Sequence, residues 1–257
     1  MGKRFWGITF ALLALSITVS SWKAEDRFKI TVGVPAKLAA SSAKVFFSNY
    51  IEKIYTAARL DDAGLSLPVF QKAVTGYFNL KASEMVPQYS AVITIIDLSK
   101  SSCTKRMWIV DLVNKELLLN TWVAHGNGSG GLIPDRFSNE NSSHASSLGF
   151  YITDNVYNGK HGRSLRLEGV DAGFNDNAFA RGIVIHAAPY VSPYIINLKG
   201  RLGRSEGCPA ISPKVARKVI NIIKGKTVIF ISGNDDTYSS KYLDEDIAAN
   251  YVYPVNG

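Results

Sequence analysis

The chain has 257 residues, 46% apolar and 19% charged, which is enough for one medium domain with an extension and excludes a disordered chain. Its formal charge of +8 is spread without a long basic run. That argues against nucleic acid as a partner and favours polyanionic or carboxylate-bearing ones.

In chain order, Met1–Arg4 are basic at Lys3 and Arg4, Phe5–Val19 form an apolar run, and the small residues Ser20 and Ser21 follow. This is the order of a secretory signal, so residues 1–24 are expected to be a signal peptide. An uncleaved anchor, with residues 5–19 as a membrane tether, is the alternative, although the run is short of the ~20 residues a spanning helix needs. Either way the body is expected to be exported, periplasmic or in the cell envelope. Removal of residues 1–24 takes away three basic residues and no acid, so the charge falls from +8 to +5.

Residues 25–88 read as a helical N-terminal segment. Val45, Phe46, Tyr50, Ile51 and Ile54 suit one face of a helix over Ser41–Tyr55, and Pro68 opens a second helix carrying Phe70, Val74, Tyr77 and Phe78. From residue 89 to 235 the pattern turns to strands: Val92–Leu98, Met107–Leu112, Leu117–Ala124, Leu148–Thr153, Ser164–Leu167, Gly182–His186 and Lys226–Ser232. A polar Gly/Ser/Asn stretch, His125–Ser147, interrupts them and reads as a functional or mobile loop. One helix is expected from Ser212 to Gly225, with Val215, Val219, Ile222 and Ile223 as its stripe. Residues 236–257 read as a tail packed on this mainly β domain.

Chemistry concentrates in Arg181–Ser212. His186 ends an apolar strand, and Cys208 follows 22 residues later in Arg204-Ser205-Glu206-Gly207-Cys208-Pro209. A thiol with an imidazole to take its proton is the minimum for acyl transfer. Gly207 permits a tight turn in which its amide and that of Cys208 face one developing oxyanion. The residues alone leave structural readings open, because a histidine at a strand end is often a satisfied core group. Cys103 and Cys208 could equally form a disulfide in an oxidising compartment. A metal hydrolase using His125, His161, His186 and Cys208 lacks any established ligand spacing.

The string GRSEGCPAIS with IVIHAAPYVS upstream resembles the signature of the murein L,D-transpeptidase catalytic-domain (YkuD-like) family. VAHGNGSG, SSLGFY, GKHGRSLRLEG and GFNDNA extend the resemblance over about residues 88–232. The resemblance implies an L,D-transpeptidase-like β-sandwich or barrel with one packed helix and an N-terminal helical extension. It implies a cysteine acyltransferase acting on peptidoglycan stem peptides, with Cys208 as nucleophile, His186 as base and no metal or other cofactor. Ser205, Gly207 and Arg204 match the family's signature. His125 and His161 are candidates for lining the substrate groove, and Arg163 and Arg166 for binding peptide carboxylates. Two positions depart from the pattern: Glu206 replaces a histidine, and Ala187 stands where many members have glycine. An L,D-carboxypeptidase using water as acceptor and an inactive wall-binding module are the alternatives.

Overall fold

The computed structural model describes residues 36–254, with side chains described from Ser42. The expected signal or tether therefore lies outside the described residues. Among these, no helix is long and apolar enough to cross a membrane.

Among the described residues two helices come first, α1 (Ala36–Ala57) and α2 (Leu67–Ala82). The α1 stripe is Ala43, Phe47, Ile51 and Ile54, while Val45 and Phe46 are 57% and 55% exposed. The expected face was thus rotated, because spacings of three and four from Ile51 select Phe47 and Ile54 over Val45 and Phe46. On α2, Pro68 lies in the first turn, and Phe70, Val74, Tyr77 and Phe78 are all buried as the spacing predicts.

Nine strands follow: β1 (Val92–Asp97), β2 (Met107–Asp111), β3 (Glu116–Thr121), β4 (Val123–Ala124), β5 (Gly149–Gly159), β6 (Gly162–Gly169), β7 (Val184–Ala187), β8 (Ala210–Ile211) and β9 (Val228–Ser232). Their order is β3-β2-β1-β9-β5-β6-β7-β8-β4. The end strands β3 and β4 are separated in sequence by Trp122 alone, so the sheet curls until it is nearly closed. The remaining helices are α3 (Pro193–Lys199), α4 (Pro213–Ile223) and α5 (Glu245–Val252). The sequence had singled out only α4 among these.

Strand alternation sorts side chains into two cores. Ile93, Ile95, Trp108, Val110, Phe150, Val228 and Phe230 face α1, α2 and α5. Ile96, Met107, Ile109, Tyr151, Ile229 and Ile231 face the interior with Ala216, Val219, Ile220 and Ile223 of α4. Because both faces are covered, the central strands read as continuous apolar runs. Each fully buried Phe, Leu or Ile contributes about 1.5–3 kcal/mol.

β5 and β6 are longer than the sequence suggested. They form a hairpin whose ends pair at Gly159 and Gly162, leaving Lys160 and His161 as the turn. Its polar outer half carries too little apolar alternation to be read as strand. That half brings the turn to the end of β7.

Candidate active site

β7 pairs with β8 in parallel, and His186 is the register partner of Ala210. Cys208 therefore lies two residues ahead of the residue opposite His186. The imidazole is 3% exposed, and its Nδ1 is 2.9 Å from the Ala187 carbonyl. A carbonyl only accepts, so Nδ1 carries the proton and Nε2 keeps a lone pair. Burial lowers the His186 pKa, the Ala187 carbonyl opposes this, and the charges of His161 and Lys160 lower it further. The ring is neutral at pH 7. His161, exposed at the hairpin tip, stacks on it with centroids 4.3 Å apart.

The Cys208 turn is held from within. Ser205 Oγ donates to the Cys208 carbonyl at 2.6 Å and accepts from the Gly207 amide at 3.2 Å. The Gly207 amide is thus engaged by Ser205, whereas the Cys208 amide makes no hydrogen bond among the described residues. Gly207 sits at φ +115°, and a Cβ there would come within 2.9 Å of the Ala145 carbonyl. No L side chain fits that turn without strain. The thiol donates to the Gly182 carbonyl at 3.8 Å, and no thiol–imidazole hydrogen bond is present among the described residues. Burial raises the Cys208 pKa, while the Val184 backbone, Arg181 and Lys160 pull it down and Glu206 pushes it up. At rest the sulfur is a thiol. Cys103 is also free, its Sγ donating to the Gly200 carbonyl at 3.1 Å.

The His125–Ser147 stretch differs from a mobile loop. His125, Ser129 and Ala145–Ser147 are buried, and Ser129, Ser146 and Ser147 find hydrogen-bond partners within the fold. Ser146 Oγ accepts from the Gly126 amide at 3.0 Å and donates to the Gly207 carbonyl at 3.3 Å, while the Ser146 amide donates to Ser129 Oγ at 2.9 Å. A Cβ on Gly126 would fall 2.3 Å from the His144 carbonyl oxygen and 2.7 Å from the Gly207 Cα, so only a glycine lets these backbones pass so close. Arg204 adds a tie, donating to the Gly130 carbonyl at 2.7 Å. This loop is a brace under Cys208.

His125 belongs to the brace and not to an open groove. It is 1% exposed, and its Nδ1 accepts from Arg106 Nη2 at 2.7 Å. Burial and then Arg106 push its pKa down to about 4. Its Nε2 is buried without a full hydrogen-bond partner among the described residues, although it faces the Gly130 and Gly131 backbone. Arg166 lies over the rings of Tyr157 and Phe179, at 4.6 and 5.7 Å from their centroids. Arg163 donates to Asn221 Oδ1 at 2.8 Å.

Three neighbours carried no signal in the sequence reading. Arg181 donates to the Ser138 and Ala145 carbonyls at 2.7 and 2.6 Å, and its charge favours a Cys208 thiolate. Tyr190 feels the charges of Cys208 and Glu206, and its phenol is pushed up to about 12, mainly by burial. His144 Nδ1 is in contact with the Glu206 carboxylate. An imidazole thus stands beside the motif position that Glu206 occupies, supplied through space rather than by the signature. Among the described residues, no group of three His, Cys, Asp or Glu side chains converges to hold a metal ion.

Residues 61–232 match the family described as the L,D-transpeptidase catalytic domain. The chain belongs to that family. The match starts ahead of α2 and runs through β9, so it takes in all nine strands, α4 and the Cys208 turn, and leaves out α1 and α5. No curated protein matches the sequence. Among solved structures, the chain is similar to L,D-transpeptidase 1 of Mycobacterium tuberculosis, with 13% identity over 56% of this chain and 62% of that one and a TM-score of 0.34. It is likewise similar to an L,D-transpeptidase from Mycobacterium smegmatis, with 13% identity over 56% and 59% and a TM-score of 0.33. A helical cell shape determining protein of Campylobacter jejuni gives 14% identity over 70% and 63% and a TM-score of 0.40. The chain spans about three fifths of the length of these structures, 59% to 63%. Membership of the L,D-transpeptidase family rests on the match over residues 61–232.

Proposed function

We propose that this protein is an exported cysteine acyltransferase of the peptidoglycan, performing L,D-transpeptidation of stem peptides through a thioester on Cys208. The observation that carries this reading is the tautomer of His186. Its Nδ1 proton is held by the Ala187 carbonyl, which leaves Nε2 free to act as a base on the strand paired with the Cys208 segment.

The resting pair is thiol and neutral imidazole, so proton transfer accompanies attack. A rotation about the Cys208 side chain releases the sulfur from the Gly182 carbonyl toward the ring. Nε2 takes the thiol proton as sulfur bonds to the carbonyl carbon on the L side of an L–D peptide bond. The carbonyl electrons move onto oxygen, where the unengaged Cys208 amide is the available backbone donor. The Gly207 amide serves the turn through Ser205, and the protonated phenol of Tyr190 is the second donor candidate. Arg181 favours negative charge on the sulfur. The tetrahedral intermediate collapses, the C–N bond breaks, and the imidazolium protonates the departing amine. A second stem's amine then attacks the thioester and loses its proton to Nε2, the C–S bond breaks, and the imidazolium returns that proton to the departing sulfur. Water in place of that amine would make the protein an L,D-carboxypeptidase.

The test is incubation with a defined tetrapeptide stem followed by mass spectrometry of the intact protein. The expected result is an adduct of the acyl tripeptide mass on Cys208, absent from Cys208→Ala. Full labelling of Cys103 with an unmodified Cys208 would sink the assignment.

A further inference from the structure

A cavity of about 610 Å³ lies between the β5–β6 hairpin and α4, lined by His161, Arg163, Ala187, Pro213, Ala216, Arg217, Ile220 and Asn221. Its floor is apolar where the buried Ala216 and Ile220 lie. Its polar lining contains two guanidinium groups and no acid. Arg163 is held by a neutral partner, the Asn221 side-chain oxygen at 2.8 Å. Arg217, exposed on α4, makes no ion pair or hydrogen bond among the described residues, and α4 itself carries Lys214, Arg217 and Lys218 without an acidic residue. Neither arginine is neutralised within the fold. Two forks beside an apolar floor suit a carboxylate on a short aliphatic body.

The position of the cavity says which carboxylate. The link to the imidazole is His161, whose ring lines the cavity and stacks on His186 with centroids 4.3 Å apart. The imidazole protonates the amine that leaves and deprotonates the amine that enters. In an α-amino acid the carboxylate carbon is two bonds from that nitrogen. We propose that the Arg163–Arg217–Asn221 cavity is a carboxylate subsite for the amino acid on the amine side of the bond being broken or made. This rests on the acyl-transfer reading for the assignment of sides. Arg163 is oriented by Asn221, and Arg217 is the free fork that closes on the ligand.

The test uses the full Cys208→Ala chain, in which no turnover occurs, and two peptides: a tetrapeptide stem with a free C-terminal carboxylate and the same peptide amidated there. Calorimetry is expected to show the free acid binding on the order of 10-fold more tightly, as a charge-assisted pair implies. Adding Arg217→Ala removes most of that preference and leaves the amidated peptide unaffected, while Lys218→Ala, which loses the same charge outside the cavity, changes neither. Equal affinities for the two peptides, absence of binding by both, or an equal effect of Lys218→Ala would overturn the subsite. Acylation of the unmodified protein without carboxylate preference sinks the subsite alone. Carboxylate-selective binding without acylation sinks the chemistry and leaves the subsite standing.

Discussion

Two buried imidazoles in this molecule are held by the same ring nitrogen and end with opposite chemistry. At His125 the Nδ1 partner is Arg106, which can only donate, so that nitrogen accepts and the proton sits on Nε2. At His186 the partner is the Ala187 carbonyl, which can only accept, so the proton sits on Nδ1 and Nε2 has a lone pair. His125 also faces a buried cation and a closed loop, whereas His186 faces an exposed hairpin tip and the strand beside Cys208. Burial alone does not separate a structural histidine from a base. The polarity of its partner does.

The largest expected effect tests the base. His186→Gln keeps a polar side chain without a titratable nitrogen, and should slow acylation of Cys208 by on the order of 10²–10⁴-fold in single-turnover mass spectrometry. An unchanged rate would remove His186 from the chemistry. The second effect concerns the structural partner. His125 stays neutral in the fold down to about pH 4, while an unfolded histidine takes its proton near pH 6.5. The unfolded chain therefore binds more protons between those values, so the stabilisation is complete above about pH 6.5 and is lost as the pH falls toward 4. Its full size is of order 3 kcal/mol. Chemical denaturation across that window should show a flatter pH dependence for His125→Gln than for the parent, with acylation at neutral pH largely retained. Parallel curves would mean that Arg106 holds a charged or empty site. The smallest effect refines His186. The acid limb of the acylation rate should lie below about pH 6.5, and His161→Ala, which removes a like charge and a stacked ring, should move it to higher pH. A limb moving to lower pH would contradict the electrostatic role given to the hairpin tip.

Much of the fold was legible. The apolar runs of β1, β2 and β9 are continuous because helices cover one face and α4 the other, and such runs read as strand whatever lies against them. The α4 helix announced itself through Pro213 and Gly225, although its buried stripe is Ala216, Val219, Ile220 and Ile223, with the expected Val215 and Ile222 half-buried at its edges. The outer half of the β5–β6 hairpin was shortened because polar residues dominate its projecting end. α3 was overlooked because its seven residues bury no apolar face that a helical spacing could show. The face of α1 was misread only in its first half: Ile51 and Ile54 are buried as expected, whereas Ala43 and Phe47, eight and four residues before Ile51, take the places given to Val45 and Phe46.

At the site, the sequence determined the local parts: a cysteine after a glycine that no other residue replaces, a histidine at a strand end, and a serine three residues before the cysteine. Each is a short-range relation, and backbone geometry within a few residues enforces it. The tertiary structure decided everything that depends on which groups meet. It gave His125 a cation, turned a polar loop into a brace, and brought Arg181, Tyr190 and His144 around the Cys208 turn, whereas the carbonyl that orients His186 is that of its own chain neighbour. Hydrogen-bond polarity and charge act through space over a few ångströms, whatever the distance along the chain.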